Sequence, residues 1–178
     1  EAANLGAEVV LISGPSHQKI AHSLVHRIDV TSAEEMYQAS HKHYPDADIA
    51  ILSAAVADYR PKNVVNEKIK KKDASLEIEL EPTKDILASL GEIKMNQFLV
   101  GFALETNDEE ANAIGKLERK NLDAIVLNSL NDKGAGFATN TNKITFIDKN
   151  QEKVPFELKS KEDVATDILN EILKRLDA

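Results

Sequence analysis

Four lysines and one aspartate are the side chains in this 178-residue sequence whose types and spacing suit an anionic ligand. Lys68 and Lys71 lie in the segment RPKNVVNEKIKKKD (60–73), which holds six basic residues against Glu67 and Asp73. If that stretch is extended, Lys68 and Lys70 share one face and Lys71 takes the other. A basic island within an acidic chain is attracted to its own body unless an anion or a partner chain occupies it. Lys116 and Lys120 are four apart, hence on one face of a helix. Neither has a carboxylate four residues before it, Asn112 standing at that place for Lys116. Two stacked like charges cost a few tenths of a kcal/mol, about what an external anion would offset. Asp58 closes the run SAAVAD, where Ser53, Ala54 and Ala55 are small enough to let a flat ring or a ribose approach the backbone.

These side chains need a frame, and the apolar pattern supplies one. Residues 1–5 read as a helix tail stopped by Gly6, followed by a strand over 8–13 and another over 26–30. TSAEEMYQASHKHY opens with Thr31 or Ser32 as N-cap and Glu35 placed for a capping box. IAILSAAVAD is apolar on both faces and predicts a fully buried strand. LEIEL alternates, as a half-wet strand does. EPTKDILASLGEIK predicts a helix capped by Thr83 and carrying Ile86, Leu87 and Leu90 at helical spacing. FLVGFALE and DAIVLN are further strands around a helix over 107–120. KITFID and KVPFEL form a hairpin about Lys149 and Asn150, after a Gly/Asn-rich loop. A closing helix over 160–176 carries Val164, Ile168, Leu169, Ile172 and Leu176 on one side. The fold class is α/β: a Rossmann-like, mostly parallel sheet with helices on both faces and a protruding basic flap at about 60–80. Ligands of such sheets bind beyond the carboxyl ends of the strands, which places SAAVADYRP, GFALET and LNS at the site.

Composition narrows the function. The formal net charge of −8 argues against duplex nucleic acid as the main partner, because phosphate binding needs clustered positive charge. With no Cys, disulfides, thiolate zinc sites and a cysteine nucleophile are excluded. No apolar run is long enough to cross a membrane and no signal-peptide pattern opens the chain, so a cytoplasmic protein of one domain (1–178) is expected. His17, His22, His26, His41 and His43 lack the spacing of a zinc site. GxSxG, GxxxxGK[ST] and a complete GxGxxG are absent.

Taken together, SAAVADYRP (53–61), EKIKK (67–71), PTKDIL (82–87), GFALET (101–106) and KLERKNLDAIVLN (116–128) resemble the bacterial phosphopantothenoylcysteine synthetases, the phosphopantothenate-cysteine ligases of coenzyme A biosynthesis. Order and spacing agree over nearly the whole chain. The resemblance implies a CTP-dependent ligase in which 4′-phosphopantothenate and cysteine are joined through an acyl-cytidylate, with Mg²⁺ accompanying CTP. It further implies that Ser53, Ala54 and Ala55 line the cytidine pocket with Phe102 beside the nucleotide, and that Asp58 lies near the triphosphate and its cation. Lys116 and Lys120 would contact CTP, and Asn128 would end the strand beside them. Lys68 would open the KxKK motif of the flap, with Lys71 in the same catalytic run. A homodimer follows from the same resemblance, with 64–80 reaching toward the partner, as does fusion to or pairing with a phosphopantothenoylcysteine decarboxylase. Relative to the family, the first strand, its loop and most of the first helix are expected before Glu1. Two other classes use the same features: a nicotinamide-dependent oxidoreductase, which would need a glycine-rich fingerprint, and a non-catalytic anion-binding or assembly domain.

Overall fold

The computed structural model describes residues 1–64, 67, 77–105, 107–129 and 139–176. Of two 3₁₀ turns among the described residues, Ala3–Leu5 and Tyr44–Asp46, the first ends at Gly6 in the left-handed region (φ 94°), where a residue without Cβ is favoured. Strands β1 (Val9–Ser13) and β2 (Val25–Asp29) pair in parallel, and helix α1 (Ala33–His43) follows. Ser32 is its N-cap: the hydroxyl accepts from Glu35 N, and the Glu35 carboxylate accepts from Ser32 N, completing the expected box. Strand β3 (Ile49–Leu52), the short β4 (Tyr59–Pro61) and β5 (Leu80–Pro82), α2 (Ile86–Ile93), β6 (Phe98–Glu105), α3 (Glu109–Arg119), β7 (Ala124–Ser129), β8 (Thr141–Asp148), β9 (Lys153–Ser160) and α4 (Lys161–Leu176) complete the order.

The central sheet runs β3-β6-β7-β8-β9, parallel through its first three strands and antiparallel through the last two. Alternation along the strands sends side chains to two cores. Leu99, Ala103, Ile125 and Leu127 join Ile86, Leu90, Ala113 and Leu117 of α2 and α3 on one face. Phe98, Val100, Val126, Ile144 and Phe146 join Val164, Ile168 and Ile172 of α4 on the other. The α/β reading with helices on both faces therefore holds. Parallel strands buried on both sides explain the near-continuous apolar runs of FLVGFALE and DAIVLN.

Three expectations need correction. β3 stops at Leu52, where its ladder with β6, running from Phe98 to Gly101, ends; Ile51 is 41% exposed, so the strand is not fully buried. Of the described residues of LEIEL, Glu77 to Glu79 form no strand and Leu80 opens one, which continues to Pro82 and pairs antiparallel with β4, with both outer residues exposed. Asp85, not Thr83, caps α2, its carboxylate accepting from Ala88 N at 3.0 Å. The flap lysines Lys68 and Lys71 lie outside the described residues.

Candidate functional site

A cleft of about 480 Å³ opens beyond the carboxyl ends of β1, β2 and β3. Its walls are Ser13 to Ser16 after β1, Val30 and Thr31 after β2, the first residues and Met36 of α1, and Ala54 to Ala57 after β3. An α1 N-terminus facing a cleft ordinarily attracts anions. Here the Glu35 carboxylate already takes Thr31 N (2.6 Å), the Thr31 hydroxyl (2.8 Å) and Ser32 N (3.1 Å). Those bonds, the Thr31 backbone bond foremost, hold its carboxyl below the ordinary range. The cleft is consequently lined by small and apolar groups with a pre-neutralised helix end, which suits an uncharged portion of a ligand more than its phosphates.

Thr83 anchors the rim of that cleft. Its hydroxyl donates to Ala57 O at 2.6 Å and its backbone N donates to Asp58 O at 2.9 Å, clamping two successive carbonyls of the segment after β3. Beside it, Arg60 and Lys62 of the flap base pair with Glu81 (2.8 Å) and Glu79 (2.6 Å). Lys84 meets Glu34 of α1 at 2.8 Å and lies 4.3 Å from the centre of the Tyr37 ring.

The α3 lysines point toward the same end of the molecule, as helical side chains lean toward the N-terminus. Each has a carboxylate, contrary to the reading from helix spacing alone. Lys116 Nζ is 2.5 Å from Glu105 Oε1 at the end of β6, and Lys120 Nζ is 2.8 Å from Asp85 Oδ2 at the start of α2. The remaining oxygen of Glu105 accepts weakly from Asn112 (3.4 Å), and that of Asp85 caps α2. Burial alone would raise the Asp85 carboxyl, but the Lys120 and Ala88 hydrogen bonds and the Lys120 and Lys116 charges bring it below its ordinary value. Four charged groups from three elements thus act as one cluster, although the partners are distant in sequence.

Of the residues singled out by sequence, Ala54 and Ala55 line the cleft and Ser53 is exposed just before them. Asp58 is exposed at the rim, its backbone held by Thr83. Lys116 and Lys120 sit in the carboxylate cluster on the α3 face of the sheet. Phe102 faces the opposite side, packed against the α4 core. Asn128 opposes Leu104 in the ladder on that same side, and its buried Oδ1 has no hydrogen-bond partner among the described residues. Sequence reasoning missed Thr83, Asp85 and Glu105 as site-building residues; their only signal was position at strand and helix ends within PTKDIL and GFALET. Among the described residues no group of three or more His, Asp or Glu side chains is placed to hold a metal ion. A lone exposed Asp58 fits a magnesium ion that arrives on a ligand's phosphates, since such ions keep several waters and take one or two carboxylates. No described helix is long and apolar enough to cross a membrane.

Comparison with known proteins places the chain. The family model of the DNA/pantothenate metabolism flavoprotein C-terminal domain matches residues 1–176. A cysteine/cysteine sulfinic acid decarboxylase from an unknown prokaryotic organism is 53% identical over 173 residues, covering 97% of this chain and 48% of that protein. The coenzyme A biosynthesis bifunctional protein CoaBC of Bacillus subtilis (strain 168) is 47% identical over 171 residues, covering 96% of this chain and 42% of that one. The chain thus spans less than half the length of these curated relatives. A crystal structure of the C-terminal domain of a CoaBC protein superposes with a TM-score of 0.82 at 42% identity, over 99% of this chain and 80% of that one. Matched along nearly its whole length by family, relatives and structure, the chain belongs to the DNA/pantothenate metabolism flavoprotein C-terminal domain family.

Proposed function

We propose that this domain is a CTP-dependent phosphopantothenate-cysteine ligase of coenzyme A biosynthesis. What carries the reading is the match of this chain, along 96% of its length, to a 47% identical CoaBC protein; Ala54 to Ala57 of the SAAVAD run lining the cleft supports it. In the proposed reaction a carboxylate oxygen of 4′-phosphopantothenate attacks the α-phosphorus of CTP. The bond from that phosphorus to the bridging oxygen breaks and pyrophosphate leaves. The cysteine amine then attacks the acyl carbon and loses a proton as the bond to CMP breaks, leaving the amide.

This chain's own residues bind and orient rather than react covalently. Ala54 and Ala55, with Ser53 beside them, receive the nucleoside, and Lys116 and Lys120 meet phosphate oxygens; Phe102 packs behind them on the other face. Such work is positioning and electrostatic stabilisation of charge that grows in the transition state. Lys68 and Lys71 belong to the flap that covers phosphopantothenate and shields the mixed anhydride from water. Asp58 would hold a magnesium ion arriving with the triphosphate, which would supply charge neutralisation at the phosphoryl oxygens. The active form is a cytoplasmic homodimer fused to or paired with a decarboxylase. Exposed Tyr59 (62%), Val64 (81%), Ile78 (58%) and Leu80 (56%) at the flap base support a second copy there.

The test is pyrophosphate release measured on the intact protein with Mg²⁺. We expect release from CTP only when 4′-phosphopantothenate is present, and little from ATP. Absence of release, or equal release with ATP, overturns the assignment. A second reading, decarboxylation of cysteine, has the name of the 53% identical relative in its favour; carbon dioxide released from cysteine without CTP would select it.

A further inference from the structure

The α3 lysines are not free cations waiting for an anion. Lys116 is held by Glu105 (2.5 Å) and Lys120 by Asp85 (2.8 Å), so the cluster of two ammonium and two carboxylate groups is close to neutral. The Lys116 and Glu105 side chains are 36% and 15% exposed, and those of Lys120 and Asp85 23% and 53%, so water screens the first pair in part and the second more strongly. Both carboxylates are themselves fixed. Asp85 is tied to the first turn of α2 through Ala88 N, and Glu105 sits at the end of β6 beneath α3, beside Asn112. They will stay where they are when a lysine turns to a phosphate.

Resting on the reading of this site as a triphosphate site, we infer that Glu105 and Asp85 are specificity-determining residues, which make the lysine pair favour a metal-complexed triphosphate over a metal-free polyphosphate. A phosphate that takes an ammonium from its carboxylate gains only the difference between two ion pairs, and it then faces the carboxylate it has displaced. That repulsion grows with the ligand's charge. A nucleoside triphosphate already neutralised in part by its cation feels it least. Pyrophosphate stripped of metal feels it most. A purely structural pair of ion bridges would have no such dependence on ligand charge.

The experiment measures equilibrium binding of metal-free pyrophosphate and of Mg·CTP to the intact protein by calorimetry, for wild type, Glu105→Gln and Asp85→Asn. Asn caps a helix as well as Asp does, so Asp85→Asn removes charge and leaves α2 capped; Asp85→Ser serves if that variant does not fold. Each single change is expected to tighten pyrophosphate binding about four-fold at low salt and Mg·CTP binding by less, with the gain shrinking as salt rises. Pyrophosphate affinity that is unchanged or weaker in the variants, with both ligands bound by wild type, overturns this inference alone. Failure of wild type to bind either ligand removes the triphosphate reading of the site and the inference with it.

Discussion

A methyl group added at Gly91 would place its carbon 1.9 Å from the carbonyl oxygen of Lys120 and 2.9 Å from the carbonyl carbon. That neighbour is backbone and cannot swing aside, since the next residue is pinned: Asn121 has φ 52° and its side chain donates to Gly91 O at 2.9 Å. We therefore expect Gly91→Ala to cost about 2–3 kcal/mol, read as a lowered urea midpoint at unchanged slope. An unchanged midpoint would contradict the contact. Individual side chains were legible in sequence where their partners are local, as Ser32 and Glu35 show. They were illegible where the partner comes from another element. Nothing in the spacing of Lys116 and Lys120 announces Glu105 or Asp85, which lie 11 and 35 residues away and meet them only because the end of β6 and the start of α2 are brought beside α3.

At the scale of elements, buried strands and amphipathic helices were readable from periodicity, and their ends were not. Apolarity continues from β3 through Val56, but a strand persists only while a neighbour pairs with it, and the β3-β6 ladder ends at Leu52 and Gly101. The segment after β3 is left without a ladder, and the Thr83 clamp on Ala57 and Asp58 takes its place. Thr83 thus does more at the site than the helix cap it was expected to be. Replacing the hydroxyl while keeping the branched shape isolates this role. Thr83→Val should lose about 1 kcal/mol of stability and raise KM for CTP on the order of ten-fold through the displaced rim, while Thr83→Ser should restore most of it. A KM equal to wild type in Thr83→Val would show that the rim holds its shape without the clamp.

For the molecule as a whole, acid should reveal two distinct electrostatic responses. The net charge of −8 at neutral pH passes through zero near pH 5.2, so general repulsion is least around that value, grows again below it, and is screened by salt. A second response is local to the end of the sheet opposite the cleft. There Arg175 donates to Asp148 (2.9 Å) and Glu171 (2.6 Å) and lies over the Phe146 ring, joining α4 to the β8-β9 turn that Asp148 organises through Asn150 N and Glu152 N. Burial alone would raise the Glu171 carboxyl, yet hydrogen bonds from Lys174 and Arg175 bring it below the ordinary glutamate value of 4.5. A carboxyl lowered in the folded state contributes stability above its unfolded value and loses it as pH falls through the folded one. The loss attributable to Glu171 should therefore begin near pH 4.5 and deepen below it. Because the group is only 5% exposed, that loss should persist at high salt, where the net-charge response fades. Glu171→Gln should cost about 2 kcal/mol at pH 7 and flatten the fall in melting temperature between pH 5 and 3. A variant whose acid slope matches wild type in both low and high salt would place the acid sensitivity elsewhere than this buried triad.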